Sequence, residues 1–152
     1  MKKFIFLFFL FFITALSSKA FSQENWQFIK DVEYCFIQSS PIKTDIPEGK
    51  SRGDYGILVY TMNNNPELIV QITAGFNYKS SSSIEVKIDQ GSYDFYTDAD
   101  TAWAKDDKKV IYAMKKGLEF VTTGISSKGT KVVDIYTLKG FTLAVNKLAD
   151  DC

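Results

Sequence analysis

The chain reads as mainly β: a sandwich or open barrel of about eight short antiparallel strands, with one short inserted helix and a C-terminal helix. Three observations predict this class. Apolar and polar residues alternate at a period of two in several runs, turn residues recur between the runs, and helical spacing is confined to two segments.

Taken in order, the first segment is not part of the fold. Lys2 and Lys3 precede an unbroken apolar run from Phe4 to Ile13, and Ser17, Ser18, Lys19 and Ala20 follow it, which is the order of a secretory signal. Ala20 and Ser22 supply the small side chains that cleavage before Gln23 requires; Ser18 and Ala20 serve a cut before Phe21 almost as well. Residues 1–22 are therefore expected to be a signal peptide and 23–152 a single domain, a length that buries one core. The rival is an uncleaved anchor, but a run ending near Leu16 is shorter than the ~20 apolar residues a membrane-spanning helix needs. No cysteine stands near the cleavage site to take a lipid, and no transmembrane segment is expected after cleavage.

Trp26 to Ile29 and Tyr34 to Gln38 read as a first strand pair. Gly56 to Tyr60 is continuously apolar, and Leu68, Val70 and Ile72 form a second strand of the next hairpin, with Asn63, Asn64, Asn65 and Pro66 as a polar loop. Ser80 to Ser83 is a polar turn. Ile84, Val86 and Ile88 alternate with Glu85, Lys87 and Asp89; after a turn at Asp89 to Gly91, Tyr93 and Phe95 continue the alternation as a hairpin partner. Asp107 to Lys116 has helical spacing, an acidic cap at Asp106 or Asp107, and Lys115 and Lys116 at the negative end of its dipole. Leu118 to Thr123 and Lys131 to Leu138 form the last strand pair, joined through Ser126, Ser127, Lys128 and Gly129. Phe141, Ala144, Val145 and Leu148 recur at helical spacing and predict a helix over Phe141 to Ala149 that packs on the sheet.

Both cysteines, Cys35 and Cys152, lie in the mature part, and an exported chain meets an oxidising compartment. A disulfide between them is the natural hypothesis, with free thiols or an intermolecular bridge as the alternatives.

Charge and residue types narrow the chemistry. Of 18 basic side chains the leader takes Lys2, Lys3 and Lys19, leaving 15 against 18 acidic ones, so the mature domain is mildly acidic. That leaves no electrostatic footprint for nucleic acid, and none is expected as a partner. Histidine is absent, which removes the commonest general base and the commonest zinc ligand. Cys35 as a lone nucleophile lacks an activator. Carboxylates crowd at Asp94, Asp98, Asp100, Asp106 and Asp107, but the calcium-loop template counted from Asp98 meets Ala102 at its fifth position and Lys109 at its twelfth. A solvated strand end and a helix cap account for these acids. No metal, cofactor or catalytic residue is expected, nor a phosphate-cradling glycine loop or nucleophile elbow. Aromatic residues make up 15% of the chain, most of them for the core; Tyr78, Tyr96, Asp98, Asp100 and Trp103 form the candidate binding patch, since tyrosine and tryptophan suit exposed contacts.

Several blocks resemble one family of bacterial exported proteins. They are Asp98-Ala-Asp-Thr-Ala-Trp-Ala104, Ala113-Met-Lys-Lys-Gly117, Gly124-Ile-Ser-Ser-Lys-Gly-Thr130 and Asp134-Ile-Tyr-Thr-Leu-Lys-Gly-Phe-Thr142, preceded by Trp26, Cys35 to Pro41, Arg52-Gly53 and Gly75-Phe-Asn-Tyr78. In order and spacing they are similar to the invasion associated locus B family over nearly the whole mature chain, and the C-terminal cysteine fits as well. The resemblance implies an Ig-like β-sandwich in the periplasm or outer envelope and, in pathogens, an association with entry into host cells. Some members carry further cysteines that are missing here, so no disulfide beyond Cys35 and Cys152 carries over. None of the blocks is a catalytic signature.

The function expected is that of a non-enzymatic envelope protein that binds another envelope or host macromolecule through a sheet face or edge. Two other classes stand beside it: a periplasmic module for a small ligand or metal near Asp94 to Trp103, where acids and aromatics meet, and a hydrolase working through paired carboxylates such as Asp98 and Asp100.

Overall fold

The computed structural model describes residues 25–30, 34–62, 65–82 and 84–152, so the expected leader, Asn63 and Asn64 of the polar loop and Ser83 of the polar turn lie outside the described residues. Eleven strands and two helices follow in the order β1 (Gln27–Lys30), β2 (Cys35–Ser39), β3 (Lys43–Asp45), β4 (Gly56–Met62), β5 (Asn65–Thr73), β6 (Glu85–Ile88), β7 (Gly91–Tyr93), β8 (Phe95–Asp98), β9 (Thr101–Ala104), α1 (Asp107–Lys116), β10 (Glu119–Ile125), β11 (Lys131–Thr137) and α2 (Phe141–Asp151). They form a mostly β architecture of two antiparallel sheets, one ordered β1-β2-β4-β5-β9-β8 and the other β3-β11-β10-β6-β7. This is a β-sandwich, as the alternation predicts.

The core lies between the sheets because each strand turns its apolar phase inward. Ile37, Ile57, Val59, Val70 and Ile72 come from the first sheet, and Val86, Ile88, Phe120 and Tyr136 from the second; all are buried. Each of these aliphatic side chains, and Phe120, stabilises the fold by about 1.5–3 kcal/mol through burial alone. Phe120 packs edge-on against both Phe95 and Tyr136, at 6.4 and 6.2 Å.

Three short strands join the eight read from the sequence. β3 has only Lys-Thr-Asp and no alternation to detect, yet it pairs β11 through Thr44 and Asp134. Tyr93 and Phe95 belong to two strands, because the chain changes sheets at Asp94: β7 pairs β6, whereas β8 pairs β9. β9 itself was hidden in the acidic stretch. Asn65 and Pro66, read as loop, begin β5. Pro66 sits next to the register shift at Thr61/Met62 and beyond the Gln71 to Thr73 segment that β9 pairs, so its missing N–H interrupts little.

The helices fill the rest of the sandwich. The Asp106 side chain caps α1 by accepting from the Lys109 N–H at 3.0 Å, and Asp107 reaches out of the first turn to accept from the Val70 N–H at 2.7 Å, tying helix to sheet. α2 buries Phe141, Ala144, Val145 and Leu148 against the β1–β2 side. Trp26 links the ends of the chain: its ring meets Phe141 at 4.9 Å and its indole N–H donates to the Thr137 carbonyl at 3.0 Å. Among the described residues no helix is long and apolar enough to cross a membrane.

Candidate functional site

The six-stranded sheet has a second face that carries large side chains. In β2 and β4 the buried residues alternate with Phe36, Leu58, Tyr60 and Met62, which therefore point away from the core. Register brings Phe36 opposite Tyr60, and Leu58 opposite Gln71, which in turn faces Trp103 of β9; Trp103 stands opposite Tyr96 of β8. The result is a band of aromatic and apolar groups crossing five strands. Tyr34 stacks on Phe36 with centroids 5.8 Å apart, and Tyr96 stacks on Trp103 at 5.5 Å, each pair within 30° of parallel. Tyr34 is 50% exposed, Met62 59% and Tyr96 52%. Beside the Tyr34–Phe36 pair an open groove of about 490 Å³ runs over Leu58, Tyr60, Thr61, Met62 and Gln71. α2 packs on the opposite, inward side of β1 and β2: the residue after it, Cys152, is bonded to Cys35, which belongs to the inward phase.

Of the sequence-predicted patch, Tyr96 and Trp103 thus meet on this face. Asp98 and Asp100 flank the tight turn that joins β8 to β9, where Ala99 has a φ of +51°. Asp98 is exposed, and the Asp100 carboxylate accepts from the Thr101 hydroxyl at 3.1 Å while its carbonyl accepts from the Ala74 N–H at 2.9 Å. Asp94 marks the sheet crossing, its carbonyl accepting from the Lys105 N–H at 3.0 Å. Asp106 and Asp107 are engaged by backbone amides as described. The acids close in sequence are therefore spread over a turn, a crossing and a cap, and among the described residues no three Asp, Glu or Cys side chains gather as a metal site.

Tyr78 departs from the expected patch. It is 7% exposed, packs edge-on against Phe76 at 5.4 Å, and lies so close over Gly124 that a Cβ there would stand 2.9 Å from its ring. Its position beside a polar turn suggested exposure, but the bridge between Tyr78 and Ser126 draws the ring inward.

Sequence reasoning missed the polar group beneath Tyr78. Arg52 and Asp134 form a buried bidentate pair, with Nη1 to Oδ2 at 2.7 Å and Nη2 to Oδ1 at 2.6 Å. Thr44 donates to the same carboxylate at 2.8 Å, the Ala74 carbonyl accepts from Nη1 at 3.2 Å, and the guanidinium lies 3.5 Å from the centre of the Tyr55 ring. Burial alone would weaken the guanidinium's hold on its proton, but the hydrogen bond and charge of Asp134 outweigh it and raise the pKa. Burial, with the charge of Asp134, also pushes the phenols of Tyr78 and Tyr136 well above their ordinary range, Arg52 opposing in part. The one signal available was an Asp at the inward phase of an otherwise apolar strand, Val132-Val133-Asp134-Ile135-Tyr136.

Cys35 and Cys152 are bonded to each other, with Cα atoms 6.2 Å apart. Both cysteines are thereby accounted for, leaving neither a free thiol nor a nucleophile.

A family model described as Invasion associated locus B (IalB) protein matches residues 34–149. The crystal structure of invasion associated protein b from Bartonella henselae is similar with a TM-score of 0.59, covering 82% of this chain and 92% of that one at 16% sequence identity. Identity that low speaks for the fold alone. No curated protein matches the chain.

Proposed function

We propose that this chain, which belongs to the invasion associated locus B family, is an exported envelope protein that binds another macromolecule without catalysing a reaction. The observation that carries the reading is the aromatic band on the outer face of the six-stranded sheet. Exposed apolar and aromatic groups in one continuous strip are costly to leave in water, and such patches mark contact surfaces. Aromatic side chains bring large contact area with few rotatable bonds, so binding orders little that was free. The absence of histidine, the engagement of the crowded acids by turns and caps, and the consumption of both thiols in one disulfide support a non-enzymatic role.

Export is supported by the leader's charge and hydropathy order and by the disulfide, which persists in oxidising compartments. The periplasm or outer envelope is the address that follows.

The test compares the wild-type protein with a Tyr96→Ser/Trp103→Ser variant as bait for cross-linking in envelope extract. Wild type is expected to capture a partner that the variant loses while keeping its melting temperature. If both baits give the same captured set, or neither captures anything, the sheet face is not the binding surface.

A further inference from the structure

A second, chemically different cavity opens at one end of the sandwich, away from the aromatic band. Three stretches through which the chain resembles its family meet there: Arg52-Gly53, Gly75 to Tyr78 and Gly124 to Thr130. The space is about 310 Å³, at the small end of the ~300–1,000 Å³ typical of ligand pockets.

Its walls are tied together by backbone hydrogen bonds. The Gly53 N–H donates to the Gly75 carbonyl at 2.9 Å, Ser127 to Asn77 at 2.7 Å and Lys79 to Ile125 at 2.9 Å. Gly75 adopts a φ of +72°, and a Cβ there would lie 2.6 Å from the Gly53 carbonyl oxygen, so the two loops touch without room for a side chain. Beneath them Arg52 is clamped by Asp134, Thr44 and the Ala74 carbonyl. The cavity is thus preformed, and a ligand need order little to enter it.

The lining carries Lys50, Arg52 and Lys128 and no carboxylate; Glu48 and Asp54 of the same loop are not part of it. Asp134 offsets the charge of Arg52, but no ion pair engages Lys50 or Lys128 among the described residues. Two lysines outside any ion pair among the described residues therefore border one small cavity, in a stretch, residues 23–152, that carries more acidic than basic side chains. Asn77 and Ser127 add neutral donors, and Phe76 supplies one apolar wall.

We propose that this cavity binds a small organic anion, its carboxylate or phosphate group held between Lys50 and Lys128 and its apolar body laid against Phe76. Charge-assisted hydrogen bonds to the two ammonium groups would supply most of the affinity, and a low net charge elsewhere would keep anions from collecting at random. The site does not rest on the sheet-face reading and stands or falls separately.

The experiment follows backbone amide NMR shifts of the purified, oxidised chain at fixed ionic strength during titration with inorganic phosphate, acetate or benzoate. Saturable shifts confined to Asn77, Ser127 and Lys128 and their neighbours are expected, with a Lys50→Ala/Lys128→Ala variant binding at least ~10-fold more weakly. Both lysines are exposed, so that variant should melt with the wild type, while Lys87→Ala serves as a lysine control on β6. Saturation by phosphate alone assigns a phosphate ligand; saturation by benzoate more tightly than acetate assigns a carboxylate with an apolar body. Shifts that fail to saturate, that spread over lysines elsewhere, or that persist unchanged in the double variant overturn the proposal.

Discussion

Arg52 and Asp134 form a buried charge pair on which the fold depends. Their side chains are only 4% and 7% exposed, and each satisfies the other's charge, so removing one strands the other in a poorly solvated site. Arg52→Met is expected to cost ~3–5 kcal/mol in urea unfolding, whereas Arg52→Met combined with Asp134→Leu should recover most of that loss. A single substitution costing under ~1 kcal/mol would show that the pair is solvated in solution. Tyr136 behaves oppositely. Its hydroxyl is buried and finds no hydrogen-bond partner among the described residues, so Tyr136→Phe should leave the melting temperature unchanged or raise it. The phenols of Tyr78 and Tyr136 also set an alkaline limit. Both hold their protons more tightly in the fold than the ordinary phenol pKa of ~10, so the unfolded chain releases them first. The unfolded state then binds fewer protons than the native one, and stability, complete below pH ~10, should fall above it by up to about 1.4 kcal/mol per pH unit for each tyrosine. Chemical unfolding at pH 9, 10 and 11 measures this; a flat profile would mean that neither ring is buried as described.

At the level of elements, α2 and the disulfide act together. The bond joins β2 to the residue after α2 across 117 positions, and the chain-entropy model gives roughly 4–5 kcal/mol for a loop of that length. Reduction, or Cys35→Ser with Cys152→Ser, should lower stability by an amount of that order, read from urea midpoints with and without reductant. The elements were largely legible because their signals are local. The 1:1 alternation of Ile84 to Asp89, the Asp106 cap and the spacing of Phe141, Ala144, Val145 and Leu148 each need only neighbouring residues to be read. What stayed hidden is decided at long range. β3 exists because β11 offers it a partner 90 residues away at Asp134, and the sheet change at Asp94 leaves no trace in an alternation that runs on from Tyr93 to Phe95. The candidate site divides the same way. Tyr96 could be singled out from its local outward phase and Trp103 from its place beside the crowded acids, whereas Phe36, Leu58 and Tyr60 lie in runs apolar on both faces, which cannot say which face is covered. Tyr78 was misplaced because its burial depends on Gly124 across the sandwich.

At the scale of the whole molecule, the two sheets and both helices share a single core, so the domain should unfold in one transition. The two tryptophans allow a direct check, because they sit in opposite environments. Trp26 is 2% exposed and touches the last strand and the last helix at once, while Trp103 is only partly buried and stacks on exposed Tyr96 on the outer aromatic band. In a Trp103→Phe variant the remaining indole reports only on the junction of chain ends. Its fluorescence change should coincide in urea with the loss of far-ultraviolet circular dichroism from the sheets. If the Trp26 signal moved first in the oxidised protein, the junction would be an independently melting unit and the shared core would be wrong. If it moved first only after reduction, the disulfide would be what makes the ends of the chain part of the same cooperative structure, with the sheets able to persist once α2 is released.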